Sequence, residues 1–548
     1  MDVRTQCLTR LRESRPLDTA GISGPARASH WDEWELSGVR FAAVGGPLEQ
    51  RWHQALTELA QCLRPLTSDL PVLNEGGVYW GTWIESSGTI STEVLTRFLP
   101  SVARDSHLIY TAHQRDDGLL PYKVTSDGPG FSQIQIVTPF ARSVWHHYQL
   151  TDAGTTYLRT MYDAMARMDS WLARYRDTRG TGAVEAFCTF DTGHDLSPRF
   201  WNVADRGFRN DARRYDPASP ILPFIAPDLT ANVACQRVYL ARIAEELGED
   251  PEPWRLLAQA SLTALMEQCF DAQDHIFYDK DATGSPVRVQ SDVLLRVLAC
   301  EVGDAELHRM GLERYLMNTA KFLGHYGFTS IAMDDPRFDR DFTRNSWAGP
   351  ANFLSLIRAP AAFEHHGHVA ELALAAQPML AAVAGWDRFP QCVDAWSGNP
   401  GFTEMYSPAI LWFLDAIERH CGILPRPDGE LWLSGLTPSR LDHGAAAEAI
   451  AYSRIVAGVT YELVGDDDDV DIYRDGEKWL AFARGWRIVV GPDGDVVAAV
   501  CLAAAPVAGR LTVDGITIDL TLAPNDRALL ADGVVTDIQR HGFVAPRS

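Results

Sequence analysis

Between about residues 49 and 422, apolar residues recur at helical spacing, broken by Gly, Pro, Asp and Asn loops. LEQRWHQALTELAQCL, TEVLTRFLPSVARDSHLIYTAHQ, FARSVWHHY and TTYLRTMYDAMARMDSWLARYRD are the first such segments. DLTANVACQRVYLARIAEELG, EPWRLLAQASLTALMEQCF, SDVLLRVLACEV and GPANFLSLIRAPAAF follow, then HVAELALAAQPMLAAVAG and SPAILWFLDAIERHCG. With a shorter helix near residues 306–320, the pattern predicts roughly eleven or twelve helices. Their connections are long for a simple bundle, and long loops usually carry function. The expected architecture is a helical toroid with a site at one mouth.

The texture changes near residue 425. Pro425 and Pro427 stop any helix. Beyond them GVTYEL, DVDIYRDG, KWLAFA, WRIVVGPDGDVVAAV, GRLTVDGITIDLTL and GVVTDI alternate with Asp-Gly and Gly-Asp pairs at hairpin spacing. This predicts a small antiparallel, β-sandwich-like domain. The run Asp466–Asp469 lacks the spacing, glycine and closing glutamate of an EF-hand loop, so it is expected to be a solvated turn. The first residues are short pieces punctuated by Gly and Pro, with a strand or two expected in WELSGVRFAAVGG. The resulting division is an N-terminal extension (1–48), a helical domain (49–424) and a β domain (425–548).

Composition narrows the function. The chain has 548 residues, 46 % of them hydrophobic and 22 % charged, which fits a folded globular protein. A net charge of −23 argues against a nucleic-acid partner, because phosphate backbones demand clustered Lys and Arg. The nine cysteines are odd in number and form no CxxC pair, so buried free thiols in a reducing cytoplasm are expected. No apolar run is long enough to span a membrane and no leader-like segment opens the chain. Glu364-His365-His366-Gly367-His368 lacks a distal ligand motif, so neither a metal site nor a cofactor is expected.

Two loop segments carry candidate chemistry: Cys188-Thr-Phe-Asp-Thr-Gly-His-Asp-Leu-Ser-Pro-Arg-Phe-Trp201 and Asn399-Pro-Gly-Phe-Thr-Glu-Met-Tyr-Ser-Pro408. The first holds two carboxylates, Asp191 and Asp195, and the second holds Glu404, all among aromatic residues. Glycoside hydrolysis calls for a proton donor on the leaving oxygen and, in inverting enzymes, a carboxylate that activates water on the opposite face. Aromatic rings supply flat platforms for sugars. Taken singly, such residues are more often structural. Asp191 fits a loop hydrogen-bonder better than a second catalyst.

GHDLSPRFW resembles the GWDxSPRW segment of glycoside hydrolase family 63 and the related family 37 trehalases. NPGFTEMYSP resembles the later family 63 segment, an aromatic followed by E-x-Y-[DS]-P. SWAGPANFL and HQRDDGLLP resemble two further family segments, and all four stand in the family's order. The resemblance extends to bacterial α-glycosidases related to mannosylglycerate and glucosylglycerate hydrolases. It implies an (α/α)6 barrel and an inverting, exo-acting mechanism on an α-linked sugar, with Asp195 as general acid and Glu404 as general base. It also implies a sugar pocket drawn from Trp83, Glu85, Gln114, His194, Arg199, Trp201, Trp347 and Tyr406. His194 stands where the family has Trp, Ala348 where it often has Arg, and Glu85 where it has Asp. These departures bear on substrate identity more than on the chemistry. The expected partner is a small carbohydrate; whether the chain forms a homo-oligomer is not fixed by the sequence. A sugar epimerase on the same barrel, and a non-catalytic carbohydrate-binding protein on a glycosidase fold, are the rival readings.

Overall fold

Burial separates the helices into two kinds. In Ser407–Cys421 every residue is buried, and nearly all of Pro227–Glu246 and Phe353–Glu364 is buried too. A helix that is apolar all round must be enclosed by other elements. By contrast Glu252–Cys269 buries one stripe only: Ala258, Ser261, Ala264, Leu265 and Cys269. The computed structural model, which describes residues 2–23, 28–438 and 446–548, places these two kinds in an inner and an outer layer.

Among the described residues, six helices form the inner series: Ser91–Leu95, Phe140–Leu150, Pro227–Glu246, Val293–Leu298, Phe353–Glu364 and Ser407–Cys421. Each packs on the next, and the last packs on the first. Outer helices lie against them: Leu48–Cys62 on the last, Pro100–Ala112 on the first, then Gly154–Tyr175, Glu252–Cys269 and Val369–Ala384 on their chain neighbours. The outer helix Val369–Ala384 is buried on most sides, because the β domain covers it through Leu424, Trp432 and Val489. The expected single helix over residues 92–114 is broken in two. Pro100 opens the second piece, where its missing N–H costs nothing.

The C-terminal strands form two antiparallel sheets that share one core, with Leu463, Ile472 and Phe482 from one sheet and Trp486, Ile488 and Cys501 from the other. Two-residue turns at Ala457-Gly458, Asp475-Gly476, Asp514-Gly515 and Asp532-Gly533 have positive φ at both positions, the geometry that matches the twist of a hairpin. The acidic turn after residue 465 is held by its own backbone amides and by Arg4, which lies 3.2 Å from Asp466.

The expected N-terminal extension is built into this domain. Arg40–Val44 pairs antiparallel with Ala449–Val456 at the edge of the seven-stranded sheet, and the helix Val3–Glu13 packs over both strands. WELSGVRFAAVGG thus gives the end of a short helix, Trp31–Leu36, and one strand. All nine cysteines are buried free thiols. Among the described residues no helix is long and apolar enough to cross a membrane.

Candidate active site

The segments that lead into the inner helices meet at one end of the helical domain around a cavity of about 420 Å³. Residues 75–86 lead into the first inner helix, 122–135 into the second, 190–206 into the third, 345–354 into the fifth, and Gln391 precedes the sixth. Tyr79, Trp80, Trp83, Tyr122 and Phe190 give the lining an aromatic wall. Glu75, Glu85 and Asp195 are its carboxyl groups, Lys123 and Arg206 its cations. Among the described residues that line it, none is a histidine.

Asp195 sits in an irregular loop before the third inner helix. Its carbonyl accepts from the Trp347 amide (2.9 Å), and its Oδ2 accepts from Asn345 Nδ2 (2.7 Å). Leu196, next in the chain, has a left-handed backbone (φ 62°). Gln135, Thr403 and Met405 in the neighbouring loops share that feature. Strained backbone of this kind gathers at functional sites. Burial pushes the Asp195 carboxyl up to about 8, reinforced by the negative charges of Glu85 and Asp205 and opposed by the Asn345 bond. It therefore holds its proton at neutral pH.

Glu85 is close to the acid loop. At Gly193 (φ 66°) a Cβ would fall 2.1 Å from Glu85 Oε2, so only glycine fits there. Glu85 Oε2 accepts from Gln135 Nε2 (2.8 Å), and the guanidinium groups of Arg358 and Arg296 lie 3.5 and 3.6 Å from Oε1. Glu75 is buried in the cavity wall. Its Oε1 accepts from the Tyr406 hydroxyl at 2.7 Å, and its Oε2 accepts from Ser86 and Ser87. Burial raises its carboxyl to about 7 despite those donors.

The structure brings together only part of the expected set. Asp195, Glu85 and Trp83 line the cavity. Tyr406 is buried behind its wall, gripping Glu75. Glu404 is exposed and its side chain does not line the cavity. Its loop nevertheless abuts the wall: at Gly77 (φ 59°) a Cβ would stand 2.6 Å from the Glu404 carbonyl and 2.2 Å from Thr403 Oγ1.

Several residues expected in the pocket are elsewhere for identifiable reasons. Arg199 is buried and forks onto two carboxylates, Asp228 (2.9 and 3.0 Å) and Asp279 (2.8 and 2.7 Å). It also donates to His194 Nδ1 at 2.6 Å. Arginine can only donate, so Nδ1 must accept and the His194 proton sits on Nε2, which faces Asp292 Oδ1 at 3.0 Å. Burial and the nearby Arg296 push His194 down to about 3, so it is neutral. Trp347 packs on His194 with ring centres 4.7 Å apart and planes tilted by 38°, and is equally buried. This network lies outside the cavity lining. Gln114 braces its own loop by donating to the Gly118 and Ala164 carbonyls (2.7 and 2.8 Å). Trp201 is 53 % exposed and lies outside the cavity. Ala348 is buried beside Trp347.

Other residues behave as their surroundings dictate. Asp191 is a buried acceptor, bound by Arg176 (2.6 and 3.0 Å) and by the amides of Ile134, Phe187 and Cys188. In the 364–368 segment Glu364 pairs with Arg419 and His368 faces Glu371. Among the described residues no group of three or more His, Cys, Asp or Glu is arranged to hold a metal ion.

Sequence reasoning missed Asn345, Glu75, Lys123, Arg206 and the Gln133–Gln135 pair. Asn345 immediately precedes the SWAGP segment, and Glu75 opens an E-G-G-V-Y-W-G stretch whose glycines mark a close backbone approach. Those were the available signals.

Comparison with known proteins bears on the fold and the family. Among solved structures, glycoside hydrolase family 63 mannosylglycerate hydrolase from Thermus thermophilus, in complex with Tris, superposes with a TM-score of 0.56 at 18 % identity, covering 66 % of this chain and 99 % of that one. The same enzyme in complex with Tris and D-glycerate gives 0.55 at 19 % identity, covering 67 % and 99 %. Neutral trehalase from Saccharomyces cerevisiae gives 0.50 at 13 % identity, covering 64 % and 73 %. At these identities the likeness speaks for the fold. A comparison with the curated proteins found no match. The profile of the mannosylglycerate hydrolase MGH1-like glycoside hydrolase domain matches residues 79–408, more than half of the chain and the whole stretch from Tyr79 to the Tyr406 loop, and the protein belongs to that family of glycoside hydrolases.

Proposed function

We propose that this protein is an inverting, exo-acting α-glycosidase that cleaves a small glycoside with an anionic aglycone. One observation carries the reading: Asp195 lines the aromatic cavity and holds its proton until about pH 8. A general acid works best when its pKa lies near the operating pH. The cavity volume of about 420 Å³ falls in the range of small-molecule sites, which supports an exo-acting enzyme over one that binds a long polymer. Lys123 and Arg206 are cations in the cavity of a strongly acidic chain, and they suit a carboxylate on the leaving group. The D-glycerate complex of the Thermus enzyme offers a model compound, so α-mannosylglycerate and α-glucosylglycerate are the first substrates to test.

Glu404 is the base in this reading, on the strength of the E-x-Y-S-P segment and the contact of its loop with the cavity wall. Its carboxylate must turn inward from the rim to activate water. Glu75, already inside the cavity and raised to about 7, is the second candidate. The closed series of inner-helix contacts supports an (α/α)6 barrel over 49–424, with 425–548 as the β domain and the 40–44 strand joined to it. A cytoplasmic location accords with nine free thiols.

The test is to incubate the protein with both glycosylglycerates and a panel of α-linked disaccharides and follow products by NMR before mutarotation. Release of the β anomer is expected. Release of the α anomer overturns the inverting mechanism. Interconversion without cleavage means an epimerase, which the absence of histidine among the described lining residues disfavours. Binding without turnover means a retired glycosidase.

A further inference from the structure

Asn345 holds a position in the cavity that the proton-donor reading does not by itself explain. Its Nδ2 donates to Asp195 Oδ2 at 2.7 Å, while its own Oδ1 is buried without a partner. A buried amide oxygen left unbonded is costly. The side chain is kept in place by what its nitrogen does, on the segment whose Trp347 amide also binds the Asp195 carbonyl (2.9 Å). An N–H aimed at one carboxyl oxygen takes up a lone pair there and disfavours a proton on that oxygen, because an O–H oxygen is the weaker acceptor of the two.

We propose that Asn345 is a positioning residue that confines the proton of Asp195 to Oδ1 and stabilises the carboxylate left on Oδ2 once that proton has passed to the leaving oxygen. The step balances with water as co-reactant: the O–H bond at Oδ1 breaks and a new O–H bond forms on the aglycone oxygen, the glycosidic C–O bond breaks with its electron pair on that oxygen, and a water oxygen bonds to the anomeric carbon from the opposite face while its proton passes to the base. The inference rests on Asp195 as the general acid. Other groups act on the same carboxyl. Glu85 and Asp205 favour its neutral form by their charge, and Tyr79 and Cys392 also lie within its electrostatic reach.

The experiment compares wild type, Asn345→Ala, Asn345→Ser and Asp195→Asn on α-glycosylglycerate, a poor leaving group, and on 2,4-dinitrophenyl α-glycosides, which leave without protonation. Hydrogen bonds to a charged group support a loss of ~10- to 100-fold in kcat on glycosylglycerate. KM should change little, the dinitrophenyl substrates should be spared, and the alkaline limb of kcat/KM should move to higher pH. Circular dichroism checks the fold of each variant, and the serine variant serves if the alanine variant does not fold. A folded Asn345 variant that loses rate equally on both substrates, or whose alkaline limb stays put, overturns the proposal. Asp195→Asn separates the two layers. If it still cleaves glycosylglycerate at the wild-type rate, the acid assignment has failed and this inference falls with it. If it is inactive while the Asn345 variants behave as wild type, only the role of Asn345 has failed.

Discussion

The Tyr406 hydroxyl donates to Glu75 Oε1 at 2.7 Å, joining two points 331 residues apart in the chain. The Ser407 amide adds a second tie to the Glu75 carbonyl at 2.8 Å. Together they fasten the loop that carries Glu404 to the wall that lines the cavity. The glycines at 76 and 77 make this possible, since a side chain at either would collide with the backbone of residues 404 and 405.

Glu75→Ala should therefore destabilise the protein by ~1–3 kcal/mol, because it strands the buried hydroxyls of Tyr406 and Ser86. Glu75→Gln keeps an acceptor and should stay near wild type in both stability and turnover. Chemical denaturation and steady-state rates on the same samples decide. An inactive but stable Glu75→Gln variant would instead make Glu75 the base.

Activity should fall as pH rises through about 8, where Asp195 loses its proton. Glu85 is the leading charge that holds that proton in place. Glu85→Gln should move the alkaline limb of kcat/KM to lower pH, whatever it does to KM. An unmoved limb would mean that another group controls it.

Asp195 also sets a pH dependence of stability. Its unfolded value is 3.8 and its folded value is about 8, so between them the folded chain keeps a proton that the unfolded chain has released. Its contribution to stability thus declines as pH rises across that window and is constant above it. Asp195→Asn removes the effect. Its melting temperature relative to wild type should climb from pH 4 to pH 8, and a flat difference would contradict the burial argument.

Arg199→Ala should cost ~3–5 kcal/mol of folding stability, since Asp279 would be left buried without its arginine and Asp228 with Arg296 alone at 3.4 Å. A pocket residue would behave differently, raising KM in a fully stable protein. Urea unfolding together with KM on the residual folded enzyme distinguishes the two.

Deleting residues 1–44 should expose the edge of Ala449–Val456 along its hydrogen-bonding side. Bare edge strands pair with other chains. Size-exclusion chromatography should show aggregates, and a well-behaved monomer with unchanged melting would mean that the strand Arg40–Val44 is dispensable.

The sequence by itself determined most of the elements and pointed to one loop. Apolar spacing marks the helices because burial of one or all faces is written in a local period, and the Asp-Gly pairs mark hairpins because their turns demand positive φ at adjacent residues. Asp195 was singled out by the resemblance of its GHDLSPRFW segment to a family motif. Tertiary structure alone decided which neighbours of Asp195 face the cavity. His194 and Arg199 lie in the Asp195 segment itself, yet Asp228, Asp279 and Asp292, supplied by later segments, draw them into a buried network against which Trp347 packs. Asn345 reaches Asp195 from 150 residues away, and the strand at residue 40 finds its partner at residue 453. In irregular loops no period fixes where a side chain points. That direction is set by left-handed backbone positions such as Leu196 and Thr403 and by partners distant in the chain, and neither is visible until the chain is folded.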